Sequence, residues 1–239
     1  MLACLGIYPR TVETPGELTV ATFNIHHGEG RDGVVDLERT AEVIRSLDAD
    51  LVALQEVDKD LSRSGNVDQA AEIAARTGME VSFFPALLVE QGEYGLALAT
   101  KGPARATSET LPRLAREERR IAIEARYAGV SFVATHLSKG GRARDLQTEA
   151  LMTIARRLDP PVIVLGDLNQ SHSSLEMFNS AGFSTRPPLV SWRSFPAVRR
   201  VDHIVAGPGV RIHRFDVRAT VASDHPVVRA RVVVTKRGT

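Results

Sequence analysis

The chain has 239 residues and a single cysteine, Cys4, so no internal disulfide can form and no cysteine-based zinc site is available. Any metal site must be built from carboxylates, amides and imidazoles. That donor set favours a hard ion, Mg²⁺ first, with Mn²⁺ or Ca²⁺ as the alternatives. Aromatic residues are scarce at 5%, and no basic run is interleaved with them. This counts against the stacking groove of a single-strand nucleic-acid binder. Charge of one sign is lacking too: 30 Lys and Arg against 29 Asp and Glu leave a net charge of +1. No strong nucleic-acid patch or membrane-directed field follows from that balance. No apolar run is long enough to span a bilayer, so no transmembrane segment is expected.

The opening Met1-Leu2-Ala3-Cys4 lacks the basic and hydrophobic regions of a signal peptide. Leu2-Ala3-Cys4 nevertheless looks like the tail of a bacterial lipoprotein cleavage site. As written, the chain reads as cytoplasmic, with an idle thiol on a frayed terminus. If the natural start lies upstream, it reads as secreted or lipid-anchored through Cys4. Residues 1–17 are expected to be an N-terminal extension and 18–239 a single domain, acting as a monomer.

Hydrophobic residues at 43% and charged residues at 25% are ordinary for a globular chain. Leu18 to Ile25 reads as a strand, and Asp36 caps a helix to Leu47 on which Leu37, Ala41, Ile44 and Leu47 recur at helical spacing. Leu51 to Leu54 is a short buried strand. A helix from Asp68 to Thr77 stops at Gly78. Strands are expected at Val81 to Phe84, Gly95 to Thr100, Arg120 to Arg126 and Val130 to Thr135, the last two forming a hairpin through Tyr127 to Gly129. Arg144 to Leu158 is a helix with Leu146, Ala150, Leu151, Ile154 and Leu158 on one face. Strand Val162 to Leu165, helix Leu175 to Ala181, and strands Val201 to Val205, Val210 to Val217 and Val227 to Val234 follow. Strands in adjacent runs with helices interspersed suit an α/β fold of two packed sheets flanked by helices.

Polar residues stand at the ends of these apolar strands, where loops can present them to one cleft. They are Asn24, Glu56, His136, Asp167, Asn169, Asp202, Asp224 and His225. One such residue is usually a turn former or helix cap, so the argument rests on the repetition. Hydrolysis of a phosphate ester needs neutralised phosphoryl oxygens, an oriented water and help for the leaving oxygen. Carboxylates, an amide and imidazoles around a dication supply all of these. The chain has no phosphate-binding Gly-x-x-x-x-Gly-Lys-Ser/Thr loop, no Gly-x-Ser-x-Gly elbow and no His-Glu-x-x-His, which counts against the corresponding P-loop NTPase, serine-hydrolase and zinc-protease readings.

The blocks Thr22-Phe23-Asn24-Ile25, Leu54-Gln55-Glu56-Val57, Thr135-His136-Leu137, Gly166-Asp167-Leu168-Asn169, Val201-Asp202-His203 and Ser223-Asp224-His225-Pro226 resemble, in order, the motifs of the endonuclease/exonuclease/phosphatase superfamily. They run from about Leu18 to about Val234. The resemblance implies a DNase I-like four-layered α/β sandwich with two central, mostly antiparallel sheets. It also implies hydrolysis of phosphate esters, with nucleic acid, a phospholipid head group or a small phosphoester as substrate. It makes Glu56 the main metal ligand, assisted by Asn24 and Asp224. Asp167 would activate the water, Asn169 would bind nucleophile and phosphoryl group, and His225, held by Asp202, would stabilise the transition state. His136 would stand on the leaving-group side with Glu93 as its acidic partner. Nuclease, phosphomonoesterase and phospholipid phosphodiesterase remain open within the enzyme reading, and a retired binding or scaffold protein of the same fold is the rival to it.

Two features depart from the family pattern: Tyr94-Gly95 is followed by Leu96 where Asn is common, and His203 stands where Tyr is common. His26 and His27 either reach the cleft or belong to a turn set by Gly28 and Gly30, the latter being the simpler reading. Arg120 either contacts substrate phosphate or joins Arg119, Glu117 and Glu118 in a solvated face. Arg144 and Gln147 are backbone anchors or catalytic. Trp192, beside Arg199 and Arg200, reads as loop packing ahead of a base-stacking role.

Overall fold

The computed structural model describes residues 16–171, 175–185 and 201–235. Cys4, Trp192, Arg199 and Arg200 lie outside the described residues. Strand β1 (Glu17–Asn24) leads through α1 (Leu37–Ser46) to β2 (Leu51–Lys59), and α2 (Gln69–Thr77) leads to β3 (Glu80–Val89) and β4 (Gly92–Thr100). Then come β5 (Arg105–Thr110), β6 (Ile121–Tyr127), β7 (Val130–His136) and α3 (Gly141–Arg157). β8 (Val162–Asp167), α4 (Glu176–Ser180), β9 (Asp202–Ala206), β10 (Val210–Arg218) and β11 (Val227–Val234) complete the order.

These strands make a six-stranded sheet, β10-β11-β1-β2-β4-β3, and a five-stranded sheet, β5-β6-β7-β8-β9. Pairing is antiparallel except for β1 with β2 and β7 with β8. Each parallel pair is joined by a helical crossover, as parallel neighbours require. The alternation of side chains along each strand builds the layers. Leu18 and Val20 of β1, Phe132 and Ala134 of β7, and Ile163 and Leu165 of β8 meet between the sheets. The opposite face of the first sheet, with Ala21, Phe23, Val52 and Leu54, packs on Ile44 and Ile73 of α1 and α2. Val133, Val162 and Val164 of the second sheet pack on Leu151, Ile154 and Phe178 of α3 and α4. Three apolar layers separate four layers of secondary structure, so the fold is the expected DNase I-like sandwich with a helical layer outside each sheet.

Local chemistry explains the element ends. The Asp36 carboxylate accepts from the Arg39 N–H at 3.0 Å, capping α1. Gly78, left-handed at φ 71°, closes α2 with its N–H on the Ala74 carbonyl. Ala128 and Gly129, both left-handed, turn β6 back onto β7. Two differences from the sequence reading have physical causes. Strand β5 is unforeseen because it is a mostly exposed edge strand of Thr, Ser, Glu and Arg, without an apolar run. The inward face of α3 centres on Gln147, Leu151, Ile154 and Ala155, so Leu146 is 38% exposed instead of buried. Gln147 is drawn inward by hydrogen bonds: its amide oxygen accepts from the Ser138 N–H at 2.8 Å and its nitrogen donates to the Pro112 carbonyl at 3.1 Å.

Phe132 is fully buried between the sheets. Replacing it by Ala is expected to cost about 3–5 kcal/mol in a denaturant unfolding titration. A loss below about 1 kcal/mol would mean that the interface between the sheets is not the principal core.

Candidate functional site

The inter-sheet face turns polar at one end, in step with the strand period. On β1 the inward series Leu18, Val20, Thr22 ends at Asn24, on β8 Ile163 and Leu165 end at Asp167, and on β7 Phe132 and Ala134 end at His136. Neighbouring strands place His136 opposite Asp167 and Asp167 opposite Asp202. Those three side chains therefore form a row across the second sheet. Gly166 allows the close approach, since a Cβ there would lie 2.0 Å from the Thr135 carbonyl oxygen.

The first sheet supplies the opposing wall. Asn24 Nδ2 donates to Glu56 Oε1 at 2.9 Å and to Asp167 Oδ2 at 3.2 Å, linking the two sheets. Glu56 sits at a break in the β2–β4 register with φ 58°, a left-handed conformation unusual outside glycine. That bulge re-aims its side chain from the alternation of the strand to the cleft. Ser223 Oγ donates to the Asn24 carbonyl at 2.8 Å and accepts from the His225 N–H at 3.0 Å. It thereby fastens the Asp224–His225 loop against β1, a contact that the sequence reading did not foresee.

His225 Nδ1 pairs with Asp202 Oδ2 at 2.9 Å, and its Nε2 lies 3.8 Å from Asp167 Oδ2. Burial pulls this imidazole toward neutrality, but the bond to Asp202 and the charges of Asp202, Asp167 and Asp224 outweigh it, pushing its pKa up to about 9. Burial, then the Asp202 charge, pushes the Asp167 carboxyl up to about 7 against the opposing His225, Asn169 N–H and Asn24 contacts. Burial raises Asp202 as well. The Asn169 N–H donates to Asp167 Oδ1 at 2.9 Å, and Asn169 Nδ2 donates to the Leu137 carbonyl at 2.7 Å. Carboxyls that are destabilised as anions by burial and by one another are suited to a dication, which would relieve both effects. The carboxylate, amide and imidazole donors present fit a divalent ion at Glu56.

His136 is buried, its Nε2 lies 3.4 Å from Asp167 Oδ2, and neither ring nitrogen has a hydrogen-bond partner among the described residues. Burial first, then the positive charges of Arg120, His225 and Lys139, holds it well below the usual imidazole range, so it is neutral. The expected Glu93–His136 pair does not form. Tyr94, Leu96 and Leu98 share the inter-sheet face of β4, so Glu93 points to the other face, where its carboxylate lies 4.0 Å from Lys59 Nζ. Tyr94 takes the place beside His136, in a small cavity shared with Arg120 and Ile121. Arg120 is only 7% exposed yet bonds Glu118 at 2.8 Å, so it is buried at the site and paired at once. Arg119 instead bonds Thr110 at the surface. Arg144 donates to the Asn169 carbonyl at 2.7 Å and, with Gln147, acts as a backbone anchor. His203 bonds the Gln170 carbonyl at 2.8 Å. His26 and His27, expected to belong to a turn, do form one, and it carries both rings to Glu56.

A two-sheet sandwich with this carboxylate and imidazole centre at one mouth defines a phosphoesterase of the DNase I-like class. Residues 21–225 match the sequence profile of the Endonuclease/Exonuclease/phosphatase family, and the chain belongs to that family. It is accordingly a hydrolase acting on phosphoester bonds. The same fold occurs in an endonuclease/exonuclease/phosphatase from Beutenbergia cavernae, at 22% identity and TM-score 0.73, covering 92% of this chain and 72% of that one. It occurs in a mannosyl-6-phosphatase from Bacteroides thetaiotaomicron, at 20% identity and TM-score 0.68, covering 90% and 99%. The catalytic domain of human Nocturnin shares it at 20% identity and TM-score 0.64, covering 92% and 94%. No curated protein matches the chain.

Proposed function

We propose that the protein is a divalent-metal-dependent hydrolase of phosphate esters that works by one in-line attack of water. The observation that carries this reading is the position of Asp167: buried, bonded to Asn24 on the Glu56 side, and flanked by the His225–Asp202 pair on the other. Glu56, Asn24 and Asp224 would hold the ion, Mg²⁺ by preference. When bound, it supplies neutralising charge to the phosphoryl oxygens.

The residues divide the remaining work. Asp167 takes a proton from the water, whose oxygen is directed at phosphorus by the Asn169 side chain. His225, kept cationic by Asp202, donates to a phosphoryl oxygen and stabilises the charge that builds there. His136, being neutral, contributes an N–H hydrogen bond on the leaving side, without serving as a proton source. One P–O bond forms, the ester P–O bond breaks, and solvent protonates the departing oxygen. Phosphodiesters are the first substrate class to test, with phosphomonoesters next. The net charge of +1 does not choose between small esters and nucleic acids.

Purified protein is expected to cleave at least one member of a panel of supercoiled DNA, RNA, bis-p-nitrophenyl phosphate, p-nitrophenyl phosphate, sphingomyelin and inositol phosphates. EDTA should reduce that activity at least about 10²-fold, and Mg²⁺ or Mn²⁺ should restore it. Cleavage that survives chelation would rule out the metal-dependent mechanism.

A further inference from the structure

The turn after β1 holds a feature that the mechanism above leaves unused. His26 and His27 are consecutive left-handed residues, at φ 48° and 44°. Two β-branch-free side chains in that conformation stand side by side, and here their ring centroids are 4.5 Å apart. One nitrogen from each ring and one Glu56 oxygen all lie within 4.8 Å of one another.

The hydrogen bonds of the rings fix where their lone pairs are. His26 Nδ1 lies 3.3 Å from the Glu29 carbonyl oxygen, which can only accept, so that nitrogen carries the proton and Nε2 the lone pair. His27 Nε2 lies 3.3 Å from the Glu29 carboxylate, which likewise accepts, so Nδ1 carries the lone pair. His27 is 93% buried, being 7% exposed, and its Nδ1 has no hydrogen-bond partner among the described residues. A buried acceptor left bare costs free energy unless something fills it. An imidazole whose other nitrogen is held by a carboxylate or carbonyl is the usual state of a metal-ligating histidine. The turn is also held independently of the rings, by Gln69 Nε2, which donates to the His27 carbonyl at 2.6 Å.

We infer that His26, His27 and Glu56 form a second cation site, selective for a borderline transition-metal dication such as Co²⁺ or Zn²⁺ over Mg²⁺ and Mn²⁺. Two imidazoles and one carboxylate match the donor preference of those ions, whereas Mg²⁺ prefers oxygen. Two ligand nitrogens on one such ion stand about 3.3 Å apart, given metal–nitrogen bonds of about 2.0–2.1 Å. The three donor atoms now lie within 4.8 Å of one another, so the side chains would rotate to close on the ion. Glu56 would bridge this ion and the one assigned to Asn24 and Asp224, placing two dications within about 3.5–4 Å. The inference rests on the reading of Glu56 as a metal ligand. His26 Nδ1 also lies 3.9 Å from Asp224 Oδ1, so the two sites adjoin.

Equilibrium dialysis of the EDTA-stripped full chain against Co²⁺, with metal analysis and a visible spectrum, tests the site. Wild-type protein is expected to take up two Co²⁺ per chain, one of them with an imidazole-type visible band. His26→Ala, at the half-buried position, and His27→Gln should each take up one and lose that band, with thermal melts verifying that they fold. Asp224→Asn should keep the band. Histidine variants that still bind two Co²⁺ with an unchanged spectrum overturn the proposal. Wild type that binds one Co²⁺, lost in Asp224→Asn alone, overturns it too while leaving the function above intact. Absence of any uptake sinks both.

Discussion

Asp167→Ala is expected to lower turnover at least about 10²-fold while leaving metal affinity at Glu56 within about threefold of wild type. Asp167 touches the site through one oxygen bonded to Asn24 Nδ2, while its other oxygen is fixed by the Asn169 N–H. A carboxylate held on both oxygens has one orientation, which is what a water-activating group needs. Its burial and the Asp202 charge push its pKa up to about 7, so it is a stronger base than an exposed carboxylate. Removing it deletes that base without taking away Glu56, Asn24 or Asp224. Turnover within about tenfold of wild type would remove Asp167 from the chemistry, and a parallel collapse of metal affinity would recast it as a ligand.

Asp202→Asn should move the whole pH–rate profile to lower pH. The active form carries Asp167 as carboxylate and His225 as imidazolium, so the rate rises as Asp167 loses its proton and falls as His225 loses its own. Wild-type limbs are expected near 7 and 9, with a bound dication drawing the acid limb down. Without the Asp202 charge and its hydrogen bond, burial at His225 is opposed only by Asp167 and Asp224, and the His225 pKa falls. The same change removes the repulsion that raises Asp167, whose pKa falls as well. The alkaline limb should drop by about one to three pH units, so the loss of activity is largest above pH 8. His225→Ala should abolish that limb and cost about 10²–10⁴-fold in rate. An alkaline limb unmoved in Asp202→Asn would show that the His225–Asp202 bond does not set the titration.

The strands that build the inter-sheet core were legible because each is a short apolar run, and the site was legible because its residues end those runs. Asn24, His136 and Asp167 needed no more than the count of alternate positions. The positions that escaped are those where alternation is masked or broken. Along β4, Leu96, Ala97, Leu98 and Ala99 are all apolar, so the sequence does not say whether Glu93 or Tyr94 faces inward. The Glu56 bulge has no local signature, since it is set by pairing with β4. Gly28 and Gly30 announced a turn after β1, but not that its left-handed backbone would aim His26 and His27 at Glu56. β5 carries no signal, because pairing with β6, and not its own composition, makes it a strand.

The most direct measurement is a crystal of the protein soaked with Mn²⁺ and inorganic phosphate, with the ion located by its anomalous scattering. The account predicts a peak bonded to the Glu56 carboxylate, with phosphate beside it in hydrogen-bond reach of His225 and next to Asp167. An ion and phosphate seated away from Glu56 and His225, with those side chains as they stand here, would contradict it.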